Sequence, residues 1–193
     1  MENNKILVEI SARHVHVSEE HLAILFGEGY KLTPKKDLSQ PGQFACEERV
    51  DLVGERGTLK SVTILGPTRP FSQVEVTLTE ARTLGVKALI RESGLIDGTF
   101  GCTLVGPKGS VVLDKGVIVA KRHIHVTPSE AQAYGVSDKE IIMVEVTSED
   151  RSLIFGDVVV RVSEKFAAAM HIDTDEANAA GLSGAVFGEI KRV

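Results

Sequence analysis

No uninterrupted apolar stretch in the chain approaches the roughly 18 residues of a membrane helix, and only two cysteines, Cys46 and Cys102, occur in 193 residues. The first absence removes a helical membrane span from the expectation. The second excludes a disulfide framework and makes reduced thiols the expected state. A basic surplus is missing too. The net charge of −5 argues against non-specific nucleic-acid binding, while leaving room for a local basic pocket for a phosphate-bearing ligand. Met1 to Lys5 lead straight into Ile6-Leu7-Val8 with no apolar signal-peptide core, so a cytoplasmic location is expected. No segment is low-complexity. With 42% hydrophobic and 25% charged residues, the composition is that of a globular protein with one ample core or two small domains.

What the chain does have is an internal repeat. Val8-Glu9-Ile10-Ser11-Ala12-Arg13-His14-Val15-His16-Val17-Ser18 lies on Val117-Ile118-Val119-Ala120-Lys121-Arg122-His123-Ile124-His125-Val126-Thr127, 109 residues later. Ser18 and Thr127 each open a helix, the second with Pro128 at its first position and Glu130 at its third, a capping-box pattern. A second match sets Val74-Glu75-Val76-Thr77-Leu78-Thr79-Glu80-Ala81 on Met170-His171-Ile172-Asp173-Thr174-Asp175-Glu176-Ala177. Thr77 with Glu80, and Asp173 with Glu176, form further capping boxes, and Gly85 and Gly181 are the expected helix stops.

Between these landmarks the chain reads as short strands, among them Val50–Val53, Leu59–Leu65, Ile141–Val146 and Asp157–Val162. The expected fold is mainly β with short capping helices: two related β-barrel domains. Residues 1–90 form the first barrel repeat, 91–110 a glycine-rich crossover and 111–193 the second repeat, with some strand exchange allowed.

Alternate residues of a strand share a face, so His14 and His16 can converge on one ion, as can His123 and His125. Imidazole and carboxylate suit zinc in sites with three protein ligands and one open position. One set is His14, His16 and Glu75; the other is His123, His125 and His171. An exchange of the third ligands between repeats fits the sequence equally well. A lone His-x-His is weak evidence, because most such histidines are simply satisfied by hydrogen bonds. Recurrence in both repeats, with a third candidate at matched positions, raises it. The sets are unequal, and the glutamate-bearing one carries less positive charge, so the two metals are expected to differ in affinity and role. His21, without a repeat equivalent, reads as a surface residue, and Arg13 and Arg122 as structural. Arg69, between Pro67 and Pro70, could grip a tetrahedral oxyanion bidentately, although by spacing alone it reads as a solvated loop arginine. Cys46 reads as a buried, inert thiol.

The chain resembles the phosphate propanoyltransferase family of PduL-type phosphotransacylases over nearly its whole length. The resemblance rests on Ser11-Ala12-Arg13-His14-Val15-His16-Val17-Ser18, Leu38-Ser39-Gln40-Pro41-Gly42-Gln43-Phe44-Ala45, Gly66-Pro67-Thr68-Arg69 with Gln73-Val74-Glu75, Lys121-Arg122-His123-Ile124-His125 and Met170 to Ala177. It implies two β-barrels with a dinuclear zinc site and the active site at their junction, and reversible transfer of a propanoyl or acetyl group between coenzyme A and inorganic phosphate. His14, His16 and Glu75 then serve one Zn2+, and His123, His125 and His171 the other. Arg69 falls where the family orients phosphate, which reverses the reading from spacing.

Direct attack of phosphate on the thioester is the expected route, with a ping-pong path through Cys46 as the rival. For coenzyme A, Lys36 is the candidate contact to its phosphates, and Ser93 to Gly101 the candidate approach for the pantetheine arm. A zinc-dependent hydrolase and a non-catalytic metal-binding module are the alternatives. Microcompartment members of the family often carry an N-terminal extension; only a few residues precede the first strand here, which favours a free cytoplasmic enzyme and leaves entry into a shell through another partner open. A homodimer is compatible with this reading.

Overall fold

The computed structural model describes residues 4–191. The chain begins with β1 (Lys5–Ile10) and β2 (His14–His16), then α1 (Glu19–Phe26), β3 (Pro34–Asp37), β4 (Phe44–Val53), β5 (Thr58–Gly66) and β6 (Gln73–Glu75). It continues through α2 (Leu78–Leu84), β7 (Leu89–Arg91), β8 (Thr103–Val105), β9 (Ser110–Val112) and β10 (Val117–Ala120). The remainder comprises β11 (His123–Val126), α3 (Pro128–Tyr134), β12 (Ile141–Val146), β13 (Leu153–Val162), β14 (Ala169–Ile172), α4 (Thr174–Ala179) and β15 (Val186–Lys191). The fold is mainly β with short helices, as expected.

Two compact units result. One is drawn from Met1–Ala12, Ser39–Pro41 and Lys121–Val193, the other from Arg13–Leu38 and Gly42–Ala120. In the first, six strands close a barrel in the order β1-β14-β11-β13-β12-β15. Ile6, Val8, Ile124, Val144, Met170 and Ile172 are among its buried core. Closure is firm, because β15 runs antiparallel to β1 through Lys5↔Glu189, Ile6↔Gly188, Leu7↔Phe187 and Val8↔Val186.

The second unit is a nine-stranded sheet in the order β7-β10-β6-β2-β5-β4-β8-β9, with β3 on β4. Val15, Val17, Leu25, Leu52, Ile64 and Leu104 lie in its core. Phe100, just before β8, makes an isolated antiparallel bridge to Val117 of β10, where the Val117 amide donates to the Phe100 carbonyl at 2.9 Å. Val117 aligns with Val8, so this bridge stands where the barrel has Val8↔Val186. Beside it, Gly101 packs so tightly that a Cβ would lie 1.5 Å from the Leu113 carbonyl oxygen.

The strand that opens each repeat lies in the other repeat's unit. β1 runs parallel to β14, with Val8 opposite Met170, and β10 runs parallel to β6, with Val117 opposite Val74. Residues 91–110, read from sequence as a crossover, belong to the second unit, where β8 pairs with β4. The chain passes between units after Ala12 and after Ala120, and briefly at Ser39–Pro41. A period-two apolar pattern such as that of β1 suits either sheet, so it does not say which one a strand joins.

The helices start where the capping chemistry puts them. Thr77, Thr127 and Asp173 are N-caps with complete capping boxes to Glu80, Glu130 and Glu176. Gly85, at φ 78°, closes α2 in the left-handed conformation that glycine tolerates best. Among the described residues no helix is long and apolar enough to cross a membrane.

Two candidate metal centres

In the second unit β2 and β6 are antiparallel, with His14 opposite Glu75, Val15 opposite Val74 and His16 opposite Gln73. Val15 enters the core while His14 and His16 point to the other face, as strand alternation requires. That face is also covered, so His14, His16 and Glu75 are all buried. Their ligand atoms lie within 4.8 Å of one another. His14 Nε2 is 3.5 Å from Glu75 Oε2. The Nδ1 atom of His16 lies 3.2 Å from the Leu65 carbonyl. A carbonyl only accepts, so Nδ1 carries the proton and Nε2 keeps its lone pair for a ligand.

Burial, with the cations of His14 and Arg69 added, pushes His16 down to about 3. Burial alone would raise Glu75, but His14, then His16 and a hydrogen bond from Ser93, outweigh it and hold the carboxyl well below the usual range. A neutral imidazole and an ionised carboxylate are the states in which these groups bind metal.

The barrel unit repeats the arrangement. β11 and β14 are antiparallel, with His123 opposite His171 and His125 opposite Ala169. The ligand atoms of His123, His125 and His171 again lie within 4.8 Å of one another. His123 donates from Nδ1 to the Lys121 carbonyl at 2.8 Å, the same device that fixes His16. Phe166 packs against His125 with ring centroids 4.1 Å apart. Each third candidate sits with the histidines of its own repeat, so the exchange between repeats that the sequence allowed is not the arrangement adopted. Both donor sets, His-His-Glu and His-His-His, match three-ligand zinc sites with an open position.

A family model described as phosphate propanoyltransferase matches residues 7–183, a span that holds both clusters. The chain belongs to the phosphate propanoyltransferase family. It is a transferase enzyme of that family. A phosphate propanoyltransferase of Thermotoga maritima is 54% identical over 92% of this chain and 85% of its own length. Phosphate propanoyltransferases of Leptotrichia buccalis and Clostridioides difficile are 54% and 53% identical, over 98% and 96% of this chain and 90% and 88% of their own lengths.

Set against this phosphate propanoyltransferase assignment, other residues singled out from sequence fall into place unevenly. Arg69 lies on the loop before β6, its amide bonded to the Val17 carbonyl at 2.9 Å and its guanidinium donating to Ser93 Oγ at 3.3 Å. Arg13 and Arg122 are structural, as expected: each ties the strand of its His-x-His to a capping-box glutamate, Glu80 at 2.6 Å and Glu176 at 2.7 Å. Lys36 is exposed on β3, across from Ala45, and belongs to neither cluster. His21 is not the plain surface residue expected; it is half-buried, with Nδ1 2.7 Å from Ser72 Oγ. Packing of α1 brings it to the start of β6, which no local pattern reveals. Three further residues were not assigned to the clusters from sequence. Gln73 bonds to Glu75 and Ser93 to Gln73, and Glu9 reaches within 3.9 Å of His171 Nδ1. Gln73 alone carried a signal, two positions before Glu75 on the same strand face.

Proposed function

We propose that the chain reversibly transfers a short acyl group, propanoyl or acetyl, between coenzyme A and inorganic phosphate, with one Zn2+ held by each cluster. The observation that carries this reading is the recurrence of one strand-pair geometry with three converging ligand atoms, in a member of this family. Bound there, zinc supplies Lewis-acid chemistry to an oxygen of phosphate or of the thioester carbonyl.

The protein's own part begins with Arg69. Its guanidinium, anchored on Ser93 beside Glu75, offers planar donors to phosphate, orienting it and offsetting its charge. In the forward reaction a phosphate oxygen bonds to the carbonyl carbon. The carbon–sulfur bond breaks, and the released thiolate takes up a proton. No protein nucleophile is required. Cys46 is ill suited to one: it is fully buried, and burial pushes its thiol up to about 11. Direct transfer therefore fits better than a path through an acyl-cysteine. Lys36, exposed on β3, is our candidate contact for the phosphates of coenzyme A.

The test incubates the protein with acetyl-CoA or propionyl-CoA, with and without phosphate, and measures free thiol and acyl phosphate. The reading expects acyl phosphate and coenzyme A in equal amounts, only when phosphate is present. Free acid formed without dependence on phosphate would point to a hydrolase, and bound metal without consumption of acyl-CoA to a binding module. Either result overturns the proposal.

A further inference from the structure

Gln73 is wholly buried, and its side-chain amide is engaged on both sides. Nε2 donates to Glu75 Oε1 at 2.7 Å and to Ser93 Oγ at 2.8 Å. Oε1 accepts the Gly94 amide at 2.8 Å. Ser93 Oγ also accepts from the Arg69 guanidinium at 3.3 Å. A continuous chain of contacts, Glu75–Gln73–Ser93–Arg69, thus joins the candidate metal carboxylate to the candidate phosphate arginine.

The repeat supplies an internal control. Gln73 faces His16 across the strand pair; in the barrel unit Ala169 faces His125 at the same register. The buried glutamine is present where the third ligand is a carboxylate, and alanine where it is an imidazole. A carboxylate can rotate and bind through either or both oxygens, whereas an imidazole offers one defined atom. Occupying Oε1 with a fixed donor leaves Oε2, the oxygen 3.5 Å from His14 Nε2, to face the cluster.

We infer that Gln73 is a positioning residue that fixes how Glu75 presents its carboxylate, and that Ser93 couples this carboxylate to the placement of Arg69. The inference rests on the metal-and-phosphate reading proposed for these clusters. Partners in this position typically change metal affinity by roughly ten- to a hundredfold when removed.

The experiment strips the full-length native protein, Gln73→Leu, Ser93→Ala and Ser93→Thr of metal and titrates each with Co2+. Visible absorption is followed first, then kcat and the phosphate KM after zinc is restored. Gln73→Leu should weaken one of the two cobalt equivalents about tenfold or more and alter its spectrum, leaving the other as in native protein. Ser93→Ala should raise the phosphate KM severalfold, and Ser93→Thr, which keeps the hydroxyl, should restore it. Two native-like equivalents with a native spectrum in Gln73→Leu, or a native phosphate KM in Ser93→Ala, overturn the inference alone. A native chain that takes up no cobalt overturns the metal reading and this inference with it. Thermal unfolding of each variant separates a folding defect from either result, and Ser93→Ala, in a half-buried loop position, keeps the test decisive if Gln73→Leu does not fold.

Discussion

The strand pair β2–β6 and the strand pair β11–β14 are the same device with one exchange. Both are antiparallel, both set the first histidine opposite the third candidate ligand, and both send the residue between the histidines into a core. They differ in where the carboxylate stands. In the second unit it is Glu75 itself, and the strand on its other side offers apolar Ile118. In the barrel the third residue is His171, and the strand on its other side offers Glu9, directly across the register and 3.9 Å away at its nearest oxygen. Glu9 and Ile118 are repeat equivalents. Each unit therefore keeps one carboxylate by its histidines, once within the trio and once beside it. The charge inequality expected from the ligand sets alone is reduced, so the two sites should differ more in geometry than in net charge.

The largest expected break in this comparison comes from Arg69. Its counterpart, by extension of the repeat, is Lys165, which is exposed. Arg69→Ala should lower phosphate-dependent turnover by about a hundredfold or more, the usual scale for removing a preorganised donor to a reacting oxyanion. Lys165→Ala should leave it within about twofold, and steady-state kinetics on both variants compares them directly.

Next in size is the tight packing at Gly101 in the second unit. Gly101→Ala places a methyl group against the Leu113 carbonyl and should cost about 2–3 kcal/mol in urea unfolding. Gly156→Ala in the barrel, where a Cβ meets nothing within 4 Å, should be neutral or stabilise by up to about 1 kcal/mol.

A smaller effect is expected at Glu9. Glu9→Gln removes the carboxylate beside His171 and should weaken metal binding at the barrel site by about tenfold. The same change leaves the other site's affinity intact, which competitive titration with a chelating dye resolves. Smallest is Cys46→Ala, with acyl transfer per folded molecule within about twofold of native. Burial holds the Cys46 and Cys102 thiols up at about 11 and about 12, so at pH 8 both remain protonated thiols. Alkylation of the native protein at that pH should be slow, and should become fast in denaturant.

Much of this was legible in the sequence, for physical reasons that also mark where legibility stops. The histidine pairs could be read because a strand's two-residue period puts them on one face, and the third candidates because the repeat aligned Glu75 with His171. Capping boxes at Thr77, Thr127 and Asp173 are local chemistry and were equally readable. The destination of β1 and β10 was not, since their alternation satisfies either sheet. Nor were Ser93 and Glu9, which reach the clusters from strands and loops distant in sequence. Gln73 stood in plain view beside Glu75, but only its burial and three bonds reveal what it does.

The central claim is that each trio holds its own metal ion. Its most direct test is the metal content of purified native protein, Glu75→Ala and His171→Ala, measured by mass spectrometry after exhaustive dialysis. The account predicts two zinc equivalents in native protein and one in each variant. Native protein without metal, or variants that both retain two equivalents, would contradict it.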